Sequence, residues 1–123
     1  MLIPAVDKPV VLIADDEVVV RNFMAACLDR MGCEVLSAAH GLEALELSRQ
    51  YPGHIDLVIT DISMPRMTGP ELCAHLSKER PATRAMLVTG QDAERDAATG
   101  IPLMRKPFTP TQLIAEVRRL LTP

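Results

Sequence analysis

Four short apolar runs in this chain each lead into polar residues of types that serve phosphoryl chemistry. Val10-Val11-Leu12-Ile13-Ala14 precedes Asp15-Asp16, and Leu57-Val58-Ile59-Thr60 precedes Asp61. Met86-Leu87-Val88 precedes Thr89, and Pro102-Leu103-Met104 leads to Lys106-Pro107. Carboxylates gathered at one place repel each other, and burying them unpaired raises their pKa values. They call for a small hard cation such as Mg2+, which takes oxygen ligands from one or two carboxylates and from phosphate. An aspartate can itself act as a nucleophile and become an aspartyl phosphate. A lysine then offsets charge on the equatorial phosphoryl oxygens, and a threonine hydroxyl donates to one of them. Each residue alone has a plainer role: Asp15-Asp16-Glu17 can cap a helix, and Asp61 and Thr89-Gly90 can be strand exits.

These residues lie far apart in sequence, so the elements between them must bring them together. Val18 to Met31 places Val20, Phe23, Met24, Cys27, Leu28 and Met31 at helical spacing and stops at Gly32, a usual helix terminator. Cys33 to Ser37 reads as a short strand, and Gly41 to Gln50 as a helix closed by Pro52-Gly53. The third strand is expected over Ile55 to Thr60, and Pro70 opens a helix that ends before Pro81. Thr109-Pro110-Thr111-Gln112 supplies an N-cap, a first-turn proline and a capping-box glutamine. Leu113, Ile114, Val117, Leu120 and Leu121 form the buried face of the helix that follows. Between Gly90 and Gly100 only alanines can be buried, so a short or mobile helix is expected there.

Alternating strands and helices predict an α/β fold, a parallel sheet with helices on both faces and right-handed crossovers. In the doubly wound strand order 2-1-3-4-5, the fifth strand lies at an edge, where Pro102 is tolerated. Strands one and three then sit side by side in the centre, and Asp15-Asp16 and Asp61 meet at the switch-point crevice.

The 123 residues, 48% hydrophobic and 24% charged, suit a single domain over 1–123 with one core. A net charge of −3 argues against a nucleic-acid surface or binding to an anionic membrane. No apolar stretch reaches the roughly 20 residues that span a bilayer. The first residues, Met1 to Lys8, lack the basic-then-apolar pattern of a signal peptide. Cys27, Cys33 and Cys73 show no Cys-x-x-Cys spacing and read as small buried hydrophobes in a reducing cytosol rather than a metal or redox site. His40, His54 and His75 are scattered without ligand spacing.

The string Asp61-Ile62-Ser63-Met64-Pro65-Arg66-Met67-Thr68-Gly69, with Asp15-Asp16 before it and Thr89 and Lys106-Pro107-Phe108 after it, resembles the receiver domain of two-component response regulators. The resemblance runs from about Val10 to Leu121. It implies a flavodoxin-like fold of the chemotaxis-regulator kind, with Asp61 as phosphoacceptor. The phosphoryl group would come from a phosphohistidine on a histidine kinase or a histidine phosphotransfer protein. Mg2+ would be held by Asp16, Asp61 and the backbone carbonyl of Ser63, with Asp15 acting through a metal-bound water. Lys106, followed by a cis bond to Pro107, would pair with the phosphoryl group; Thr89 would turn toward it, and Gly90 would leave it room. The partner would dock on the first helix around Val20, Phe23 and Met24 and on the loop near Phe108.

The family so implied is cytoplasmic and catalyses only its own phosphorylation and dephosphorylation. Two departures stand out: Leu103 takes the place of an aromatic usual three residues before the lysine, and the stretch from Thr89 to Lys106 is short. The string from Thr89-Gly90 to Ile101-Pro102-Leu103-Met104-Arg105-Lys106-Pro107-Phe108 is similar to receivers fused to hybrid histidine kinases and to an atypical group with a reduced fourth helix. A stand-alone regulator and an excised hybrid-kinase receiver both remain open. An Mg2+-dependent haloacid-dehalogenase-like phosphatase is the alternative from another class. It would need an Asp-x-Asp pair on the first strand, whereas Asp15 and Asp16 are adjacent. A degenerate receiver that only binds a partner is a third reading, opposed by the complete set of acidic residues, threonine and lysine.

Overall fold

The apolar runs form strands β1 (Val10–Ala14), β2 (Glu34–Ala38), β3 (Leu57–Asp61), β4 (Arg84–Thr89) and β5 (Leu103–Arg105). All pair in parallel in one sheet of order β2-β1-β3-β4-β5, with β5 at an edge as expected and Pro102 just before it. The computed structural model describes residues 8–90 and 100–122. Among these the helices are α1 (Val18–Met31), α2 (Gly41–Gln50), α3 (Gly69–Glu79) and α4 (Pro110–Leu121). The short helix expected between Gly90 and Gly100 falls on residues 91–99, which lie outside the described residues.

Strands β1 and β3 are buried on both faces, which is why they read as continuous apolar runs. Successive side chains still point to opposite sides. Val11, Ile13, Leu57 and Ile59 pack against Met24, Leu28, Leu113 and Val117 on the α1 and α4 side. Leu12, Ala14 and Val58 pack against Leu45, Leu72 and Leu76 on the α2 and α3 side.

Local signals fix the helix ends. Gly32 adopts the left-handed conformation (φ 94°) after α1, where its N–H and that of Cys33 reach back to Asp29 and Leu28 carbonyls. Cys33 thereby completes a helix end rather than starting β2, which begins one residue later. Thr68 with Glu71 and Thr109 with Gln112 form reciprocal capping boxes. β3 starts later than expected, at Leu57, because Ile55 lies outside the ladder and its carbonyl accepts the Thr83 hydroxyl at 2.6 Å. All three cysteines are free and buried, and burial pushes the Cys73 thiol up to about 11.

Candidate functional site

Strand register carries the site. Ala14 pairs with Thr60 across β1 and β3, so the next residues, Asp15 and Asp61, stand side by side. Asp61 pairs with Val88, and Thr89 with Arg105, which brings Thr89 and Lys106 to the same edge. These are the carboxyl ends of the strands, where open α/β sheets bind their ligands.

The loop after β3 is tied down from below. Met64 and Met67 are buried in the core on the α2 and α3 side, and Gly69 N–H donates to the Ile62 carbonyl at 2.9 Å. Ser63 is thereby held at the pocket rim beside Asp61. The pocket itself is about 200 Å3 and is lined by Asp16, Asp61, Ser63, Thr89, Gly90 and Lys106, with Glu17 at its border. Among the described residues, nothing lies within 4 Å of where a Cβ on Gly90 would project.

Lys106 Nζ sits among three carboxylates, 2.7 Å from Glu17, 3.0 Å from Asp15 and 3.2 Å from Asp61. Burial works against its charged form. The hydrogen bond to Glu17, the close ion pair with Asp15 and the charges of Asp15 and Asp61 outweigh that, and its pKa lies above the usual lysine value. Asp61 is displaced upward from the ordinary carboxylate range, first by burial and then by the charge of Asp15, which Lys106 only partly offsets.

Carboxylate oxygens of Asp15, Asp16 and Asp61 lie within 4.8 Å of one another. Asp15 is fully buried: Oδ1 accepts the Glu17 N–H at 2.9 Å, whereas Oδ2 has the Lys106 ion pair but no well-aligned hydrogen bond. A buried oxygen left so, beside two further carboxylates, makes a hard-oxygen donor set that fits Mg2+.

The structure thus gathers every residue singled out from the sequence for this chemistry: Asp15, Asp16, Asp61, Ser63, Thr89 and Lys106. The Lys106–Pro107 bond is cis, as expected. The docking set needs one correction. Met24 is fully buried between α1 and the sheet and offers nothing to a partner. Val20 and Phe23 do line an apolar groove of about 460 Å3 with Phe108, whose ring centroid is 5.9 Å from that of Phe23. Helical spacing cannot separate the two sets, since Phe23 and Met24 are adjacent and only packing decides which turns inward. Glu17 also borders the pocket and pairs with Lys106, although its place at the start of α1 reads only as helix capping; its type is the one sign otherwise, since N-caps favour Ser, Thr, Asp and Asn.

A doubly wound sheet of order 2-1-3-4-5 with an acidic pocket and a lysine at its carboxyl edge defines a flavodoxin-like α/β domain. The family model of the response regulator receiver domain matches residues 11–118, and the chain belongs to that family, the receivers of two-component signalling. The probable transcriptional regulator ycf27 of Cyanophora paradoxa is 36% identical over 121 residues, covering 94% of this chain and 49% of that protein. The sensor kinase CckA of Brucella abortus (strain 2308) is 36% identical over 117 residues, 90% of this chain and 12% of the kinase. The crystal structure of the receiver domain from hybrid histidine kinase CckA superposes with a TM-score of 0.80 at 33% identity, covering 92% of this chain and 99% of that one. The chain therefore spans about half the length of the regulator and a small part of the kinase. Family membership sets aside the phosphatase alternative. No described helix is long and apolar enough to cross a membrane.

Proposed function

We propose that this receiver accepts a phosphoryl group on Asp61 from a phosphohistidine of a histidine kinase or histidine phosphotransfer protein, with Mg2+ as cofactor. The observation that carries the reading is the Lys106 ammonium 3.2 Å from an Asp61 carboxylate oxygen at the mouth of the acidic pocket. Asp61 attacks phosphorus, the new P–O bond forms as the P–N bond breaks, and the imidazole nitrogen keeps the electron pair. Lys106 pairs with one phosphoryl oxygen, and the Thr89 hydroxyl donates to another. Asp16, Asp61 and the Ser63 carbonyl would hold the cation directly and Asp15 through water, and the cation held there would supply positive charge to offset that of the phosphoryl oxygens.

The donor docks on the groove formed by Val20, Phe23 and Phe108, which opens beside Lys106. The chain acts as one receiver unit over 1–123 that catalyses only its own phosphorylation and dephosphorylation. Three free cysteines fit a reducing cytoplasm as its compartment.

The test is intact-protein mass spectrometry after incubation with Mg2+ and acetyl phosphate, or with a phosphorylated histidine phosphotransfer protein. The wild type gains one phosphoryl group on the peptide carrying Asp61, and folded Asp61→Asn gains none. Labelling that persists in Asp61→Asn, or no labelling of the wild type by either donor, rejects the reading.

A further inference from the structure

Glu17 is the N-cap residue of α1, yet its side chain makes no capping hydrogen bond. At α2, α3 and α4 the corresponding residues, His40, Thr68 and Thr109, each accept a backbone N–H from the first turn. At α1 the Glu17 carboxylate instead crosses the sheet edge to Lys106 Nζ, 2.7 Å away and 89 residues on in sequence. That is shorter than the lysine's contacts to Asp15 and Asp61, at 3.0 and 3.2 Å. The two ends of the pair differ sharply in environment: the Lys106 side chain is 11% exposed and that of Glu17 59%. Glu17 also lines both depressions, the acidic pocket with Asp61 and Thr89 and the apolar groove with Val20, Phe23 and Phe108.

We propose that Glu17 is a positioning residue that latches Lys106 and competes with the phosphoryl group on Asp61 for its ammonium. This rests on Asp61 being the phosphoacceptor. A lysine ammonium has three N–H donors, and three carboxylates now surround it. Phosphorylation turns the Asp61 carboxylate into an acyl phosphate, whose three terminal oxygens draw on these donors more strongly than the carboxylate oxygen they replace, so Asp15 or Glu17 has to yield. Asp15 is fully buried, so parting its carboxylate from Lys106 costs more than parting an exposed one, even with Mg2+ bound nearby. Glu17 is exposed, and water replaces its partner at little cost. Glu17 therefore gives way. Repelled by the phosphoryl group, it moves its charge toward the groove, so the groove's mouth differs between the unmodified and phosphorylated protein.

The test is calorimetric titration with beryllofluoride, an acyl-phosphate mimic, at saturating Mg2+. Wild type, Glu17→Gln, Lys106→Met and the double variant are compared as a cycle. Glu17→Gln is expected to bind the mimic about fivefold more tightly than wild type, the upper end for an exposed ion pair. In the Lys106→Met background that gain should vanish. Unchanged or weaker binding by Glu17→Gln overturns the latch, and so does an equal gain in both backgrounds, which is general charge repulsion.

A second readout serves if Lys106→Met binds too weakly to titrate. Without the mimic, the Lys106 Cε NMR signal should shift in Glu17→Gln and not in Glu46→Gln, an exposed control on α2. An unmoved signal in Glu17→Gln overturns the proposal. A wild type that neither binds the mimic nor gains a phosphoryl group sinks the phosphoacceptor reading and the latch together. Mimic binding by the wild type with no Glu17 effect sinks the latch alone.

Discussion

The backbone carbonyl oxygen of Asp61 lies against the α-carbon of Gly69, so close that a Cβ at Gly69 would overlap it. The two residues bracket the loop that presents Ser63, and no other residue type fits that approach without moving the end of β3.

Gly69→Ala is accordingly expected to reverse the usual sign. Inside helices alanine is favoured over glycine by about 1 kcal/mol. Here the clash should destabilise the fold by about 1–3 kcal/mol, as overpacking does. It should also weaken Mg2+ binding, because the displaced segment carries Asp61 and Ser63. Denaturant unfolding and Mg2+ titration check both, and a variant as stable as wild type would contradict the close approach.

Asp61→Asn should raise stability at neutral pH in the absence of Mg2+. Burial and the charge of Asp15 lift the folded-state pKa of Asp61, so the folded protein holds this proton more tightly than the unfolded chain. The cost of ionising it is absent below the unfolded value of about 3.9 and grows as pH rises through the folded value. The difference in melting temperature between variant and wild type should therefore shrink on acidification. A gap that is constant from neutral to acid pH would refute this.

Mg2+ should stabilise the wild type by mass action, by about 2.7 kcal/mol at a concentration of 100 times its Kd. Asp16→Asn removes an exposed carboxylate of the acidic trio and should flatten that dependence while barely changing the metal-free melting temperature. Thermal melts over a Mg2+ series in both proteins read this directly.

Arg80 clamps the end of α2 from α3. Its guanidinium donates to Ser48 Oγ at 2.9 Å, to the Ser48 and Tyr51 carbonyls at 2.7 Å, and to the Gly53 carbonyl at 2.8 Å. Lysine cannot reproduce this fork. Arg80→Lys should cost about 1–3 kcal/mol in denaturant unfolding, since bonds to charged donors are the stronger kind. Beryllofluoride affinity should be unchanged, because the clamp lies outside the acidic pocket.

Much of the architecture was legible because it is local. α1 and α2 follow from apolar spacing and a terminating glycine or proline, the start of α3 from Pro70, and that of α4 from the Thr109–Gln112 capping box. The strands β1 and β3 declared themselves as apolar runs because both their faces are covered. The boundaries that moved did so for non-local reasons. Ile55 is drawn out of the ladder by the Thr83 hydroxyl, and Cys33 is claimed by the end of α1.

By itself the sequence determined which side chains stand at the strand ends, since residue type and strand termination are encoded within a few positions. Tertiary structure alone decided what they face. Packing turns Met24 into the core while Phe23 meets Phe108. The Glu17–Lys106 pair joins residues 89 positions apart and follows no periodicity. Its existence depends on where a sheet edge and a helix start happen to converge, a distance that only the folded chain defines.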